Sequence, residues 1–68
     1  MSEYQQLTGF KPGKRSGRFR LLLDYGYGPG SWVEACGAKS IEAIRRERGK
    51  LAQWPDSKVR IVDLEELA

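Results

Sequence analysis

The sequence predicts a small α+β domain with the order ββαβ, in which a three-stranded sheet carries one helix on one face. Three observations support it: an apolar run at 18–25, a second alternating run after a glycine-rich turn, and a helical segment that ends at Pro55 before a third run. A right-handed crossover through the helix places the third strand beside the first. The predicted strand order is therefore 2-1-3, in an antiparallel or mixed sheet.

The size of the chain limits what it can be. With 68 residues there is room for one domain, which we expect at 18–64, with an N-terminal segment and basic arm at 1–17 and a tail at 65–68. A deep catalytic cavity is not expected in so small a domain. No apolar run approaches a membrane span, no signal pattern opens the sequence, and a lone cysteine fits a reducing compartment, so we expect a cytoplasmic protein without membrane contact.

The first two strands follow from alternation. The run at 18–25 should be the central strand, because one of its faces is wholly apolar: Phe19, Leu21, Leu23 and Tyr25. Residues 25–30 contain three glycines and a proline and predict a hairpin loop. The run at 31–36 should then pair antiparallel with the first, with Val33 and Ala35 facing the core and Trp32, Glu34 and Cys36 facing away.

A helix is expected to begin at Ser40, a favourable N-cap, with Glu42 in the first turn. Its apolar side gathers Ile41, Ile44, Leu51, Ala52 and Trp54, and Gly49 marks a bend or an early end. On its polar side, Glu42 is expected to pair with Arg46 and Glu47 with Lys50. Residues 58–64 predict the third strand, whose Val59 and Ile61 would join the core under the helix.

The sheet face away from the helix is the first candidate for function. Arg18, Arg20, Trp32 and Arg60 should project from it together. Cations beside an aromatic platform suit phosphate neutralisation and base stacking. The alternative is that the N-terminal segment covers this face, since Tyr4, Leu7 and Phe10 recur at a spacing of three and predict one helical turn or a short edge segment.

Two loops supply further candidate contacts. The stretch 11–17 combines glycines, a proline and three cations, and its Lys11, Lys14 and Arg15 could follow a nucleic-acid backbone or an acidic groove. Tyr25 and Tyr27 lie at the hairpin tip, and tyrosine is enriched at binding hot spots. This loop lacks the lysine and Ser/Thr of a P-loop and joins two strands, which excludes a phosphate-cradling loop.

Catalysis is not expected. The chain has no histidine, its one cysteine has no paired base, and no nucleophile motif or motif-placed carboxylate pair occurs. The sequence therefore predicts no catalytic residue, no metal site, no cofactor and no small-molecule substrate.

The order of a strand hairpin, a helix starting at Ser40-Ile-Glu-Ala43, Pro55 and the strand Lys58-Val-Arg-Ile-Val62 resembles small accessory proteins encoded by phages and mobile elements, over roughly residues 18–64. The resemblance implies a stand-alone binder that touches nucleic acid or blocks a host protein, including the class that inhibits nucleic-acid-targeting defence complexes. It assigns no site residue. We expect a non-catalytic module that contacts nucleic acid through the sheet face and the arm. The alternative is an inhibitor or adaptor that binds a larger host protein or nucleoprotein complex.

Overall fold

The computed structural model describes residues 3–13, 17–28 and 30–65. The elements in order are α1 (Glu3–Thr8), β1 (Phe19–Leu23), β2 (Val33–Ala38), α2 (Ile41–Gly49), a 3-10 turn (Asp56–Lys58) and β3 (Val59–Asp63). The sheet has the order β2-β1-β3, and both strand pairs are antiparallel. The predicted ββαβ arrangement and strand order are thus confirmed. In the part of the chain that is described, no helix is long and apolar enough to cross a membrane.

The core has two halves, one on each face of β1. On the α2 side, Leu21, Leu23 and Ile44 are buried, ringed by half-buried Phe19, Cys36, Ala38, Leu51, Trp54, Val59 and Ile61. On the other side, Tyr4 of α1 packs with Leu22 and Val62, flanked by Leu7, Trp32 and Leu64. The second sheet face is therefore covered by the N-terminal segment, and the expectation of an open face is wrong. Phe10 lies beyond α1 and is exposed, so the spacing of three continues only from Tyr4 to Leu7.

A bulge in β2 corrects the predicted alternation of that strand. Leu21 lies opposite Cys36, whereas its neighbour Leu22 lies opposite Glu34, so Ala35 is an extra residue with no partner. One inserted residue reverses which face of the sheet each side chain beyond it points to. Cys36 therefore faces α2, where the sequence placed Ala35, and Ala35 is exposed. Val33 lies opposite Leu23 but remains about half exposed rather than entering the core.

Helix α2 begins as predicted and ends early. The Ser40 hydroxyl oxygen accepts a hydrogen bond from the Ala43 N–H at 3.2 Å, which caps the first turn. The helix ends at Gly49, well before Pro55. The Arg48 guanidinium then donates to the carbonyl oxygens of Leu51 and Trp54, each at 2.8 Å. These bonds hold the turns after the helix in place, so Leu51 and Trp54 reach the core from turns.

Candidate binding surfaces

Arg20 belongs to the interior of the protein. Its side chain is 1% exposed, its Nη1 donates to Glu34 Oε1 at 2.8 Å, and its Nε donates to the Gly17 carbonyl oxygen at 2.8 Å. Its Nη2 donates to the carbonyl oxygen of Gly13. With each guanidinium nitrogen engaged inside the fold, Arg20 is not available to a phosphate, and its predicted place on a binding face is wrong.

The position of Arg20 in β1 explains this burial. Residue 20 points to the α1 side, where the Tyr4 ring centre lies 5.9 Å from the guanidinium carbon. The Tyr4 hydroxyl donates to the same Glu34 Oε1 at 3.0 Å. Burial is the main cause that raises the pKa of Tyr4, and the hydrogen bond to Glu34 raises this pKa further. Arg20, Glu34 and Tyr4 thus form a polar network that joins β1, β2 and α1.

Trp32 is also drawn into the body of the protein. Its side chain is half-buried against the α1-side core, and its backbone N–H donates to the Leu7 carbonyl oxygen at 2.9 Å. A tryptophan packed in this way does not offer an open stacking platform. The predicted constellation of Arg18, Arg20, Trp32 and Arg60 on one open face is therefore not formed.

The two remaining arginines of that set are exposed but lie beside carboxylates. Arg18 makes a two-pronged contact with Asp63, at 2.7 Å through both Nε and Nη2, and its Nη1 lies 3.1 Å from Glu65. These hydrogen bonds from Arg18 hold the pKa of Asp63 below its usual range. Arg60 Nε lies 3.7 Å from Glu3 Oε1. Much of the positive charge on this side is neutralised within the chain.

The N-terminal arm is partly outside the described residues, which include Lys11 but neither Lys14 nor Arg15. Lys11 is exposed. The carbonyl oxygens of Gly13 and Gly17 both accept hydrogen bonds from Arg20, so these two residues are held against β1.

A different set of cations lacks acidic partners in the part of the chain that the structure describes. Among the described residues, five have no carboxylate within ion-pair distance: Lys11, Lys39, Arg45, Arg46 and Lys58. The predicted pair of Glu47 and Lys50 forms at 3.1 Å, whereas Arg46 makes no ion pair with Glu42. The sequence predicts partners for Arg46 and Lys50 but none for Arg45, and the polar side of α2 is the signal that places Arg45 and Arg46 in solvent.

Three aromatic side chains are conspicuously exposed: Tyr27 by 84%, Phe10 by 74% and Tyr25 by 52%. We call these three residues the aromatic surface. The other aromatic residues, Tyr4, Phe19, Trp32 and Trp54, are buried or half-buried. The sequence predicted the two tyrosines as contacts and missed Phe10, although Gly9 and Pro12 on either side of it argue against a continuing helix.

The tyrosines are carried by an ordered turn. Asp24 Oδ1 accepts the Gly26 N–H at 2.8 Å, and Gly26 and Gly28 adopt φ values of 89° and 100°, which glycine permits without strain. The Tyr25 ring meets Trp54 edge to face, with ring centres 5.1 Å apart. Tyr25 is therefore held against the body, while Tyr27 stands free at the tip.

The two segments of the aromatic surface lie side by side. The backbone of Gly9, which precedes Phe10, lies so close to the Gly30 carbonyl oxygen that a Cβ at Gly9 would approach it to 3.2 Å. The hydrogen bond from the Trp32 N–H to the Leu7 carbonyl oxygen holds the same two segments together, two residues before Gly9 on one segment and two residues after Gly30 on the other. Phe10 and the tyrosine turn are thus presented at the same end of the sheet.

Comparisons of the chain with protein-family models, with curated proteins and with solved structures gave no match. Within the described residues, no group of three or more histidine, cysteine, aspartate or glutamate side chains could hold a metal ion.

Proposed function

We propose that the protein is a small non-catalytic binding module that docks on a larger protein through the aromatic surface. The observation that carries this proposal is the exposure of Phe10, Tyr25 and Tyr27 on two adjacent segments of a chain whose other aromatic residues pack inward. Exposed aromatic groups on neighbouring segments are a common feature of interaction sites, and tyrosine is enriched among the residues that dominate binding energy.

The way Tyr25 and the backbone of the tyrosine turn are held favours binding over accidental exposure. Tyr25 is fixed by Trp54, and the turn that bears both tyrosines is fixed by Asp24. Side chains that are already ordered lose less conformational entropy when a partner covers them. Tyrosine also has few rotatable bonds for the area that it can bury.

Charges near the aromatic surface suggest the chemistry of the partner. Lys11 follows Phe10 directly, and the Lys58 carbonyl oxygen accepts the Asp24 N–H at 2.9 Å at the base of the tyrosine turn. Neither lysine has a carboxylate partner within the described part of the chain. Complementary charge at the rim of an interface speeds association and selects partners. We therefore expect the partner protein to present apolar pockets surrounded by acidic groups. The resemblance to phage accessory proteins implies a stand-alone binder of either nucleic acid or a host protein, and an inhibitor or adaptor is one of these two.

Contact with nucleic acid is the second candidate, now through α2. Lys39, Arg45 and Arg46 are exposed cations without ion pairs in the described residues, and they suit phosphate contacts. Glu42 lies on the same side of the helix and offsets part of this charge. The neutralised Arg18, Arg20 and Arg60 remove the stronger basis for nucleic-acid binding, which is why we place a protein partner first.

Affinity capture from a nuclease-treated lysate of the source cells, with two Tyr27 variants beside the unchanged protein, separates the two candidates. A stoichiometric protein partner that survives nuclease and is lost with Tyr27→Ala, but kept with Tyr27→Phe, supports docking through the aromatic surface. If Tyr27 is a hot spot, its truncation weakens affinity about thirtyfold or more. A partner bound equally by Tyr27→Ala contradicts this docking mode.

The nucleic-acid candidate has its own readout. Titration of Trp32 and Trp54 fluorescence with DNA and RNA oligomers at low salt should show saturable, salt-sensitive binding that Arg45→Gln with Arg46→Gln abolishes. Each phosphate contact on duplex DNA steepens the log-log salt dependence by about 0.9. No binding at micromolar concentrations would exclude this candidate.

A further inference from the structure

The outer edge of β3 presents unused backbone hydrogen-bonding groups. Beyond the two ends of its ladder with β1, Asp24 N–H donates to the Lys58 carbonyl and Leu64 N–H donates to the Arg18 carbonyl, each at 2.9 Å. Inward and outward backbone groups alternate along an antiparallel strand, so residues 58, 60, 62 and 64 face β1. The odd residues Val59, Ile61 and Asp63 therefore point their N–H and C=O groups away from the sheet.

Most of these outward groups have no backbone partner among the residues that the structure describes. The Val59 N–H donates to the Asp56 carbonyl oxygen in the preceding 3-10 turn. For the Val59 carbonyl and for both groups of Ile61 and Asp63, the described residues provide no backbone hydrogen bond. Within the described part of the chain, five groups in a regular, unbulged stretch are thus open to another strand.

The opposite edge of the sheet is protected. β2 is bulged at Ala35, and its outer edge is occupied just before the strand by the hydrogen bond from the Trp32 N–H to the Leu7 carbonyl oxygen, in the last turn of α1. Bulges and covering segments are the usual means by which proteins block edge pairing. β3 has neither in the described residues, which makes its edge the accessible one.

The side chains of β3 indicate what an added strand should carry. On the α2 side, Val59 and Ile61 are half-buried at the margin of the core. Arg60 is exposed on the α1 side, and among the described residues its one ion pair is the 3.7 Å approach to Glu3. Lys58, in the 3-10 turn just before the strand, is also exposed and has no carboxylate partner in the described chain. Two kinds of side-chain pair on facing positions stabilise neighbouring strands: apolar pairs and pairs of opposite charge. The neighbour that fits alternates apolar and acidic residues.

We propose that β3 accepts an extended segment of a partner protein as a fourth strand, with apolar side chains beside Val59 and Ile61 and carboxylates beside Lys58 and Arg60. Main-chain bonds would supply affinity, and the alternating side chains would supply specificity, as in other cases of strand addition. The proposal goes beyond docking through the aromatic surface and does not depend on it.

A second copy of the chain fits this edge less well. Antiparallel pairing of two β3 strands about Ile61 sets Val59 against Asp63. It also brings two Arg60 side chains into diagonal contact on one face. Like charges in such positions are destabilising.

The test uses a capped synthetic peptide of alternating glutamate and valine, seven residues long, titrated into ¹⁵N-labelled protein. We expect saturable amide shifts over residues 59–63 and slower hydrogen exchange at the Ile61 and Asp63 amides. A peptide of the same composition with its glutamates and valines in two blocks should bind at least about tenfold more weakly. Shifts confined to other residues, or equal binding of the block peptide, would overturn the proposal.

Backbone N-methylation identifies the edge directly, and a 68-residue chain is accessible to chemical synthesis. An N-methyl group at Ile61 removes an outward donor that the sheet does not use, so the far-ultraviolet circular dichroism should be unchanged while peptide binding falls about tenfold or more. The matched control is N-methylation at Gly37, which lies opposite Arg20 and points outward on β2. Equal binding by the two methylated proteins contradicts the assignment to β3.

Charge selection gives a second, folding-independent check. Arg60→Glu should weaken binding of the glutamate peptide and strengthen binding of its lysine counterpart, and an unchanged preference would refute the charge pattern. Sedimentation of the protein without peptide tests the remaining alternative, that a second copy of the chain occupies the edge. Concentration-dependent dimers that N-methylation at Ile61 abolishes would assign the edge to a second copy and overturn the partner-strand proposal.

Discussion

The Nη1 atom of Arg20 lies 2.8 Å from Oε1 of Glu34, and this ion pair joins the two strands of the hairpin beneath α1. The same carboxylate oxygen accepts the Tyr4 hydroxyl, and the same guanidinium binds the carbonyl oxygens of Gly13 and Gly17. One buried arginine therefore connects the N-terminal segment to the sheet. An arginine that appears in the sequence as a ligand-binding cation serves here to order the fold.

Removing Arg20 should be costly. We expect Arg20→Met to lower the free energy of unfolding by about 3 kcal/mol, because Glu34 loses its cationic partner and two carbonyl groups lose their side-chain donor in a partly buried site. Arg60→Met is the matched control on the same face of the sheet, and an exposed ion pair of this kind contributes about 0–1 kcal/mol. Urea denaturation of both variants measures the difference, and similar losses for the two would contradict the structural role of Arg20.

The sequence could predict the strands, their order and the start of α2 because these follow from local patterns. The apolar alternation of Phe19, Leu21 and Leu23 is strong enough to identify β1, and Ser40 identifies the helix start. The bulge at Ala35 could not be predicted, since Ala35 and Cys36 are both small and either suits a core position. α1 could not be decided either, because a six-residue helix is stable only through its packing on Leu22 and Val62.

The candidate site was harder to predict than the fold. Whether an arginine is free or paired depends on residues distant in sequence: Arg20 meets a glutamate 14 positions away, and Arg18 an aspartate 45 positions away. Composition shows only that cations outnumber acids. The tyrosines were predictable because a glycine-rich hairpin tip lies in solvent whatever the rest of the fold does.

We expect substitution of Gly17 to lower the stability of the fold more than substitution of Gly26 does. Both have positive φ, 90° and 89°, so alanine is strained at either position. A Cβ at Gly17 would in addition lie 2.6 Å from the Ala38 carbonyl oxygen, whereas a Cβ at Gly26 meets open space. We expect Gly26→Ala to cost about 1 kcal/mol and Gly17→Ala clearly more. Thermal denaturation of the two variants tests this, and an equal loss would show that the close approach to Ala38 is not maintained.

Acid sensitivity should depend on Arg18. Its hydrogen bonds to Asp63 lower the pKa of that carboxyl in the folded state. A carboxyl with a lowered folded-state pKa stabilises the fold above its unfolded-state pKa, and this contribution disappears as the pH falls from about 4 through the folded-state value. Arg18→Gln should therefore reduce stability at pH 6 and lose less between pH 5 and pH 3 than the unchanged protein. Urea midpoints across this range provide the measurement, and parallel pH profiles would refute the linkage.

Leu22 offers the sharpest test of whether α1 covers the sheet. On an open face, Leu22→Ala would change stability by less than about 0.5 kcal/mol, as exposed substitutions do. Leu22 is instead fully buried with Tyr4 and Val62, so we expect a loss of about 2–5 kcal/mol, comparable to that for Leu21→Ala on the α2 side.

Because that loss approaches the whole stability of so small a domain, Leu7→Ala on α1 gives a milder measurement of the same packing. We expect it to lower the urea midpoint, since Leu7 is half-buried against this half of the core. Val33→Ala, about half exposed on β2, should leave the midpoint nearly unchanged. If Leu7→Ala behaved like Val33→Ala, α1 would not be packed on the sheet, and Arg20 would again be open to solvent and available to a partner.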